Sequence, residues 1–322
     1  MKNIKIGINN SFYTHNLFPL YYTFFTNIGC EVILSANPNP KGLNYEFSQF
    51  CYPMQLSLML FYDLISNENI DYFFVPAIYE MDAEKDEIQR LDFNCACAFV
   101  TGEPYILRQA FKEFNADNKK TIANKMIIPS LNFNNGLEKE LNSFIKIANQ
   151  IGIKDKNLIT NSYNAAIKKQ KEVQEKLYLE GTNTINSLSE NEIAIILFGR
   201  GYNSTYNIAN KGIPKKIATK GIKIIPMDMI DTRMYPQAKL MYWEVGHKII
   251  RVAEIVKQNP KLFAIYITNF ACAPDSMLLN TFRKIMGDKP SLTLELDSHS
   301  ADAGINTRID AFIDIINNYR VM

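Results

Sequence analysis

The sequence has few cysteines, five in 322 residues, and no C-x-x-C pair among them. An odd number of scattered thiols excludes a disulfide framework of the kind that staples small secreted domains, and predicts reduced cysteines. Histidine is scarcer: His15, His247 and His299 are too few and too scattered to suggest a zinc site. Long apolar runs are missing too. The longest, "LSLMLFYDLI" at 56–65, is broken by Tyr62 and Asp63 and falls short of the roughly 20 residues that span a bilayer. The start, "MKNIKIGINN", reads as a strand and lacks the apolar core of a signal peptide. Neither sign of charge dominates: 35 Lys and Arg against 33 Asp and Glu leave a net charge of +2. That argues against nucleic acid as a partner, because binding phosphates requires a concentrated basic face. Neither G-x-G-x-x-G nor a P-loop occurs, so the chain shows no ATP site of its own. These absences together describe a cytoplasmic protein that engages neither membrane nor nucleic acid.

What is present is an ordinary globular composition, 47% hydrophobic and 21% charged, in a chain long enough for two domains of about 150 residues. Short apolar runs alternate with amphipathic ones. "IKIGIN" (4–9), "EVILSA" (31–36), "DYFFVPA" (71–77) and "CACAFVTG" (95–102) read as strands, and "FPLYYTFFTNIG" and "MQLSLMLFYDLIS" as helices. Strands that are apolar throughout suit a parallel sheet covered on both faces. From about 136 to 190 the sequence turns to polar amphipathic helices. The β/α alternation then restarts with "EIAIILFG" (192–199), "IKIIPMD" (222–228), "LFAIYITNF" (262–270) and "SLTLELD" (291–297). The expected fold is α/β: two doubly wound parallel-sheet lobes, 1–135 and 191–322, joined by a helical connector, 136–190, with a ligand or cluster site in the interlobe cleft.

In such sheets ligands gather where strands end and helices begin. Cys272, in "TNFACAPDS", lies just past one strand end, and Pro274 with Asp275-Ser276 marks a helix start there, a setting that lowers a thiol's pKa. Cys51, in "SQFCYPMQLS", also precedes a helix start. Cys95 and Cys97, in "FNCACAFVTGEPY", flank a strand start and share a face if extended. Cys30, between a helix-ending Gly and a strand, reads as a packing residue. By residue chemistry alone each thiol is more often a small core hydrophobe than a ligand. In "ELDSHSADAG" (295–304), Glu295, Asp297 and His299 would share a face of an extended strand, while Ser300 or Asp302 would cap the following helix. "GEPY" (102–105) marks a turn at a strand end that directs Glu103 toward the cleft. "ILFGRGYNSTYN" (196–207) reads as strand, Gly-rich turn and helix start, a weak phosphate cradle.

Several segments, in order over nearly the whole chain, resemble a known family: "NSFYTHNLFPLYYTFFTNIGCEVILS" (10–35), "CYPMQLS" (51–57), "FNCACAFVTGEPY" (93–105), "GRGYNSTYNIANKGIPKKIATKGIKIIPMDM" (199–229), "MYWEVGHKIIRVAEIV" (241–256), "TNFACAPDS" (268–276) and "LTLELDSHSADAGINTR" (292–308). The family is the domain of the 2-hydroxyacyl-CoA dehydratase and benzoyl-CoA reductase superfamily that is fused to, or found beside, CoA-enzyme activases. The resemblance implies a [4Fe-4S] cluster on Cys51, Cys95 and Cys272, with Cys97 as an additional thiol. It implies a separate ATP-dependent activase as electron donor, and a small-molecule or acyl-CoA substrate. Glu103, His299 and Glu295 would act at the cleft as proton donors or hydrogen-bond partners. A homodimer and a heterodimer are both compatible with it. The chain departs from the family where a Lys is usual but Gln55 stands, and where prolines are usual but Ala96 and Gly201 stand.

Overall fold

The computed structural model describes residues 3–67, 69–82, 94–114, 122–235 and 241–321. They form two compact units, a first from Met1–Asp82 and Asn94–Val173 and a second from Gln174–Met322. In the first, strands β1 (Ile4–Ile8), β2 (Cys30–Leu34), β3 (Tyr72–Phe74) and β5 (Met126–Ile127) make a parallel sheet in the order β2-β1-β3-β5, and β4 (Ala77–Glu80) pairs in parallel with β6 (Ser130–Asn132). In the second, β7 (Ala194–Phe198), β8 (Lys223–Pro226), β9 (Leu262–Asn269) and β10 (Ser291–Leu296) make a parallel sheet in the order β10-β9-β7-β8. Both four-stranded sheets obey one rule. The first strand is interior, the second lies on one side of it, and the third and fourth lie on the other. The winding therefore reverses between β1 and β3, and between β7 and β9.

The interior strands of the second sheet are continuously apolar because both faces are covered. All five residues of β7 and all eight of β9 are buried. On one face Ala194, Ile196 and Phe198 pack with Val252 and Val256 of the helix Glu244–Gln258 and with Leu278 and Phe282 of the helix Ala273–Met286. On the other, Ile195 and Leu197 pack with Ile217 of the helix Ile213–Ala218 and with Ile309 and Phe312 of the helix Asp302–Val321. Each such buried side chain contributes about 1.5–3 kcal/mol by leaving water.

The polar helices after residue 136 do not stand apart. Phe144 of the helix Leu141–Gln150 meets Phe24 edge-on at 4.8 Å and stacks on Tyr163 at 4.3 Å, which places the helix and the first half of Lys156–Asn186 in the first unit. The division between the units falls at Val173 and Gln174, inside that 31-residue helix.

The segment read as a strand at 95–102 is a correction. Helix begins at Ala98 and runs to Ala110, so "GEPY" lies inside a helix, not at a turn. Val100, Glu103, Pro104, Leu107 and Phe111 are buried, a spacing of three and four that only a helix satisfies. Cys95 and Cys97 consequently share no strand face. Cys95 makes an isolated antiparallel bridge to Glu80, and Cys97 caps the helix. Phe93, first in one of the matched segments, lies outside the described residues.

Candidate functional site

The carboxyl end of β1 carries the densest buried polar group of the first unit. Asn9 follows the strand, Ser11 follows in the next turn, and Ser57 comes from the helix Tyr52–Ile65. All three donate to one oxygen of Glu103: Asn9 Nδ2 at 3.1 Å, Ser57 Oγ at 2.6 Å, and Ser11 Oγ. Asn9 Nδ2 also reaches Ser57 Oγ at 3.0 Å. Ser35, beyond β2, accepts from the backbone N–H of Asn10 at 2.8 Å, closing the loop over the strand end. Glu103 is 5% exposed. Burial raises its pKa above the ordinary carboxyl value, against the pull of the three donors.

Two of the candidate thiols start the helices that meet here. Cys51 caps Tyr52–Ile65 and Cys97 caps Ala98–Ala110. The rings of Phe50 and Phe99, beside these caps, stand 5.7 Å apart edge-to-face. The turn before Cys51 is organised by Glu46, whose carboxylate accepts from Gln55 Nε2 at 3.1 and 3.2 Å and from the Phe50 N–H at 3.1 Å. Gln55, the departure from the resembled pattern, thus has a local partner.

The second unit has a matching arrangement of opposite electrostatics. After β7, Gly199 adopts φ +140°, and an added Cβ would stand 2.9 Å from the Ile267 carbonyl, so only glycine fits. Arg200 follows and forms a two-pronged ion pair with Asp275, at 3.0 and 3.1 Å. The Asp275 carboxylate also accepts from Thr268 Oγ1 at 2.6 Å and Tyr266 OH at 3.1 Å. Cys272 caps the helix Ala273–Met286 beside this pair, directly after Ala271, a non-glycine residue at φ +60°. The expected lowering of its pKa does not occur. Burial dominates and pushes the thiol up to about 12, with Asp275 adding to the rise and Arg200 opposing it. Cys272 is therefore a thiol rather than a resting thiolate. Cys30 is buried and pushed up to about 11, as a packing residue should be.

Glu295 is in register with Thr268 on the neighbouring strand β9, and His299 lies in the turn after β10. β10 ends at Leu296, so Glu295 points outward between buried Leu294 and Leu296. Asp297 and Ser300 close a turn, in which Asp297 accepts from the His299 N–H at 2.9 Å and from Ser300 Oγ at 2.8 Å. The shared face of Glu295, Asp297 and His299 does not form, and both Glu295 and His299 are exposed. Asn9, Ser11 and Ser57 around Glu103, and Arg200 beside Cys272, were not singled out by sequence as site residues, and Asp275 was read only as a helix-start marker. For Asn9, Ser11 and Arg200 the available signal was their position just past an apolar strand.

Among the described residues, no three His, Cys, Asp or Glu side chains stand together in a group that could hold a metal ion. None of the five cysteines forms a disulfide. Thiol donors are the chemistry that suits an iron–sulfur cluster. Among the described residues, no helix is long and apolar enough to cross a membrane.

Residues 5–230 match the family described as CoA enzyme activase uncharacterised domain (DUF2229). No curated protein matches the chain. Among solved structures, the SBP FpvC of Pseudomonas aeruginosa in complex with Ni2+ is 12% identical with a TM-score of 0.28, over 98% of this chain and 96% of that one. The periplasmic zinc binding protein TroA of Treponema pallidum is 9% identical with a TM-score of 0.28, over 98% of each chain. Likenesses at these TM-scores carry no weight for fold or ligand.

Proposed function

We propose, for a chain that belongs to the CoA enzyme activase uncharacterised domain family, that it is an iron–sulfur redox protein receiving low-potential electrons from a separate ATP-dependent activase. The observation that carries the reading is the family match over residues 5–230. The placement of three thiols supports it: Cys51, Cys97 and Cys272 each begin a helix of 13 or 14 residues. The positive end of a helix favours an anionic thiolate centre, although at Cys272 burial outweighs it in the metal-free chain.

The residues that would hold a [4Fe-4S] cluster are Cys51, Cys95 and Cys272, with Cys97 as the additional thiol. When bound, the cluster would supply one-electron reduction toward a small or CoA-linked substrate. The chain's own contribution is proton handling and charge. Glu103 is the buried acid, and His299 and Glu295 are the exposed candidates. Arg200, held by Asp275, sets a positive charge near Cys272. Five cysteines outside any disulfide suit the reducing cytoplasm. The second reading is a cluster-free small-molecule-binding or regulatory protein, in which the thiols only pack.

Iron and acid-labile sulfide per chain, after anaerobic reconstitution, separate the two. About four irons per chain with a visible band that bleaches on reduction, lost in Cys51→Ala and Cys272→Ala, is the expected result. A wild-type chain without iron overturns the cluster reading and leaves the binding protein.

A further inference from the structure

Glu103 and Asp275 occupy matching places. Each lies early in the helix that carries the chain from the third strand of its sheet toward the fourth. Each accepts from a residue just past the first strand, Asn9 after β1 and Arg200 after β7. Each also accepts from two hydroxyls, Ser11 and Ser57 in one case and Tyr266 and Thr268 in the other. The difference is charge. Asp275 has a guanidinium against both oxygens, whereas Glu103 has only neutral donors, and among the described residues no Lys, Arg or His pairs with it.

A fully buried carboxylate without a countercharge is costly, and the usual resolution is to bind a proton. The geometry shows where. All three donors converge on Oε1, and among the described residues nothing donates to Oε2. The Tyr21 hydroxyl on the helix Thr14–Asn27 is buried and, among the described residues, without a hydrogen-bond partner; burial raises its pKa, and the charges of Tyr163 and Glu103 add to the rise. The loop after β1 and the helix Tyr52–Ile65 present only Asn9, Ser11 and Ser57.

We propose that Glu103 is a proton store at the carboxyl end of the first sheet, a neutral acid with its proton on Oε2. Release breaks the Oε2–H bond and leaves a carboxylate already held by three donors on Oε1, so the ionised form is reachable when chemistry beside Asn9 and Ser11 demands a proton. This deepens the role given to Glu103 above but needs no cluster, and it is tested on the metal-free chain, so failure of the iron assay leaves it standing.

Infrared spectroscopy of the full chain at pH 7 should show one deuterium-sensitive carbonyl band of a protonated carboxyl, missing in Glu103→Gln and fading as pH rises. Tyr21→Phe should shift that band. Gln mimics the neutral acid, so Glu103→Gln should melt close to wild type at pH 7. Because the folded pKa is raised, Glu103 stabilises the fold fully below the ordinary carboxyl pKa, and progressively less as pH rises through its own titration. That decline should vanish in Glu103→Gln. Absence of the band in wild type, or its persistence in Glu103→Gln, overturns the proposal. If the variant does not fold, 13C labelling of Glu carboxyls in wild type decides: one protonated carboxyl at pH 7 upholds it, and none overturns it.

Discussion

Replacing Asp275 by Asn removes the countercharge of Arg200 while keeping the shape of the site. The side chains are 10% and 3% exposed, so the pair is buried. Four donor contacts converge on the carboxylate: two guanidinium N–H groups at 3.0 and 3.1 Å, Thr268 at 2.6 Å and Tyr266 at 3.1 Å. An amide offers one acceptor oxygen in place of two, and its NH2 group faces donors. Breaking one partner of a buried pair strands the other charge and costs about 3–5 kcal/mol. For a unit of this size that is on the order of 10 °C in Tm. Trp243, the chain's single tryptophan, lies in the second unit, so its fluorescence in urea reports this transition rather than that of the first. The double variant Arg200→Met with Asp275→Leu removes both charges and should recover most of the loss. A second readout is chemical. Asp275 helps hold the Cys272 thiol up at about 12, so Asp275→Asn should lower that pKa and speed alkylation of Cys272 at a fixed alkaline pH. A loss below about 1 kcal/mol, with unchanged alkylation, would refute the claim that the pair is a buried, coupled element.

Lys289 donates to the carbonyls of Val256 at 2.6 Å and Asn259 at 2.5 Å, tying down the end of the helix Glu244–Gln258. Burial, with Lys257 adding to it, lowers its pKa from 10.5 to about 8. The folded state binds this proton more weakly than the unfolded chain, so stability should rise between pH 8 and 10.5. Lys289→Met should flatten that rise and lose about 1–3 kcal/mol at neutral pH; a pH series of urea melts checks both. Gly181, in the helix Lys156–Asn186, has no room for a methyl, since a Cβ would stand 2.1 Å from the Met229 carbonyl oxygen. Gly181→Ala should therefore destabilise by about 1–3 kcal/mol, despite a helix-propensity gain of up to about 1 kcal/mol. A neutral or raised Tm would refute the close approach.

The division of labour between sequence and fold shows in particular segments. Strands β7 and β9 were legible because parallel strands buried on both faces must be apolar without interruption, and β1, β2, β8 and β10 because short β-branched apolar runs end in turn signals. The helix Ala98–Ala110 was not, because "CACAFVTG" alone is too short to distinguish period 2 from period 3.6; the buried Leu107 and Phe111 that settle it lie beyond the run. The strands β5 and β6, two and three residues long, carry no pattern of their own. Residues 136–173 read as a connector because their exposed face is polar, yet Phe144 and Tyr163 commit them to the first unit.

Sequence by itself determined the α/β class, the two four-stranded sheets, and that Cys51 and Cys272 precede helix starts, because each of these is written in local patterning and turn chemistry. Only the tertiary structure decided that Glu103 is a buried acid whose donors come from 46, 92 and 94 residues away, and that Cys272 is a raised thiol beside an ion pair spanning 75 residues. Protonation depends on burial and on the charges folded against a group, and neither quantity exists until the chain has closed around it.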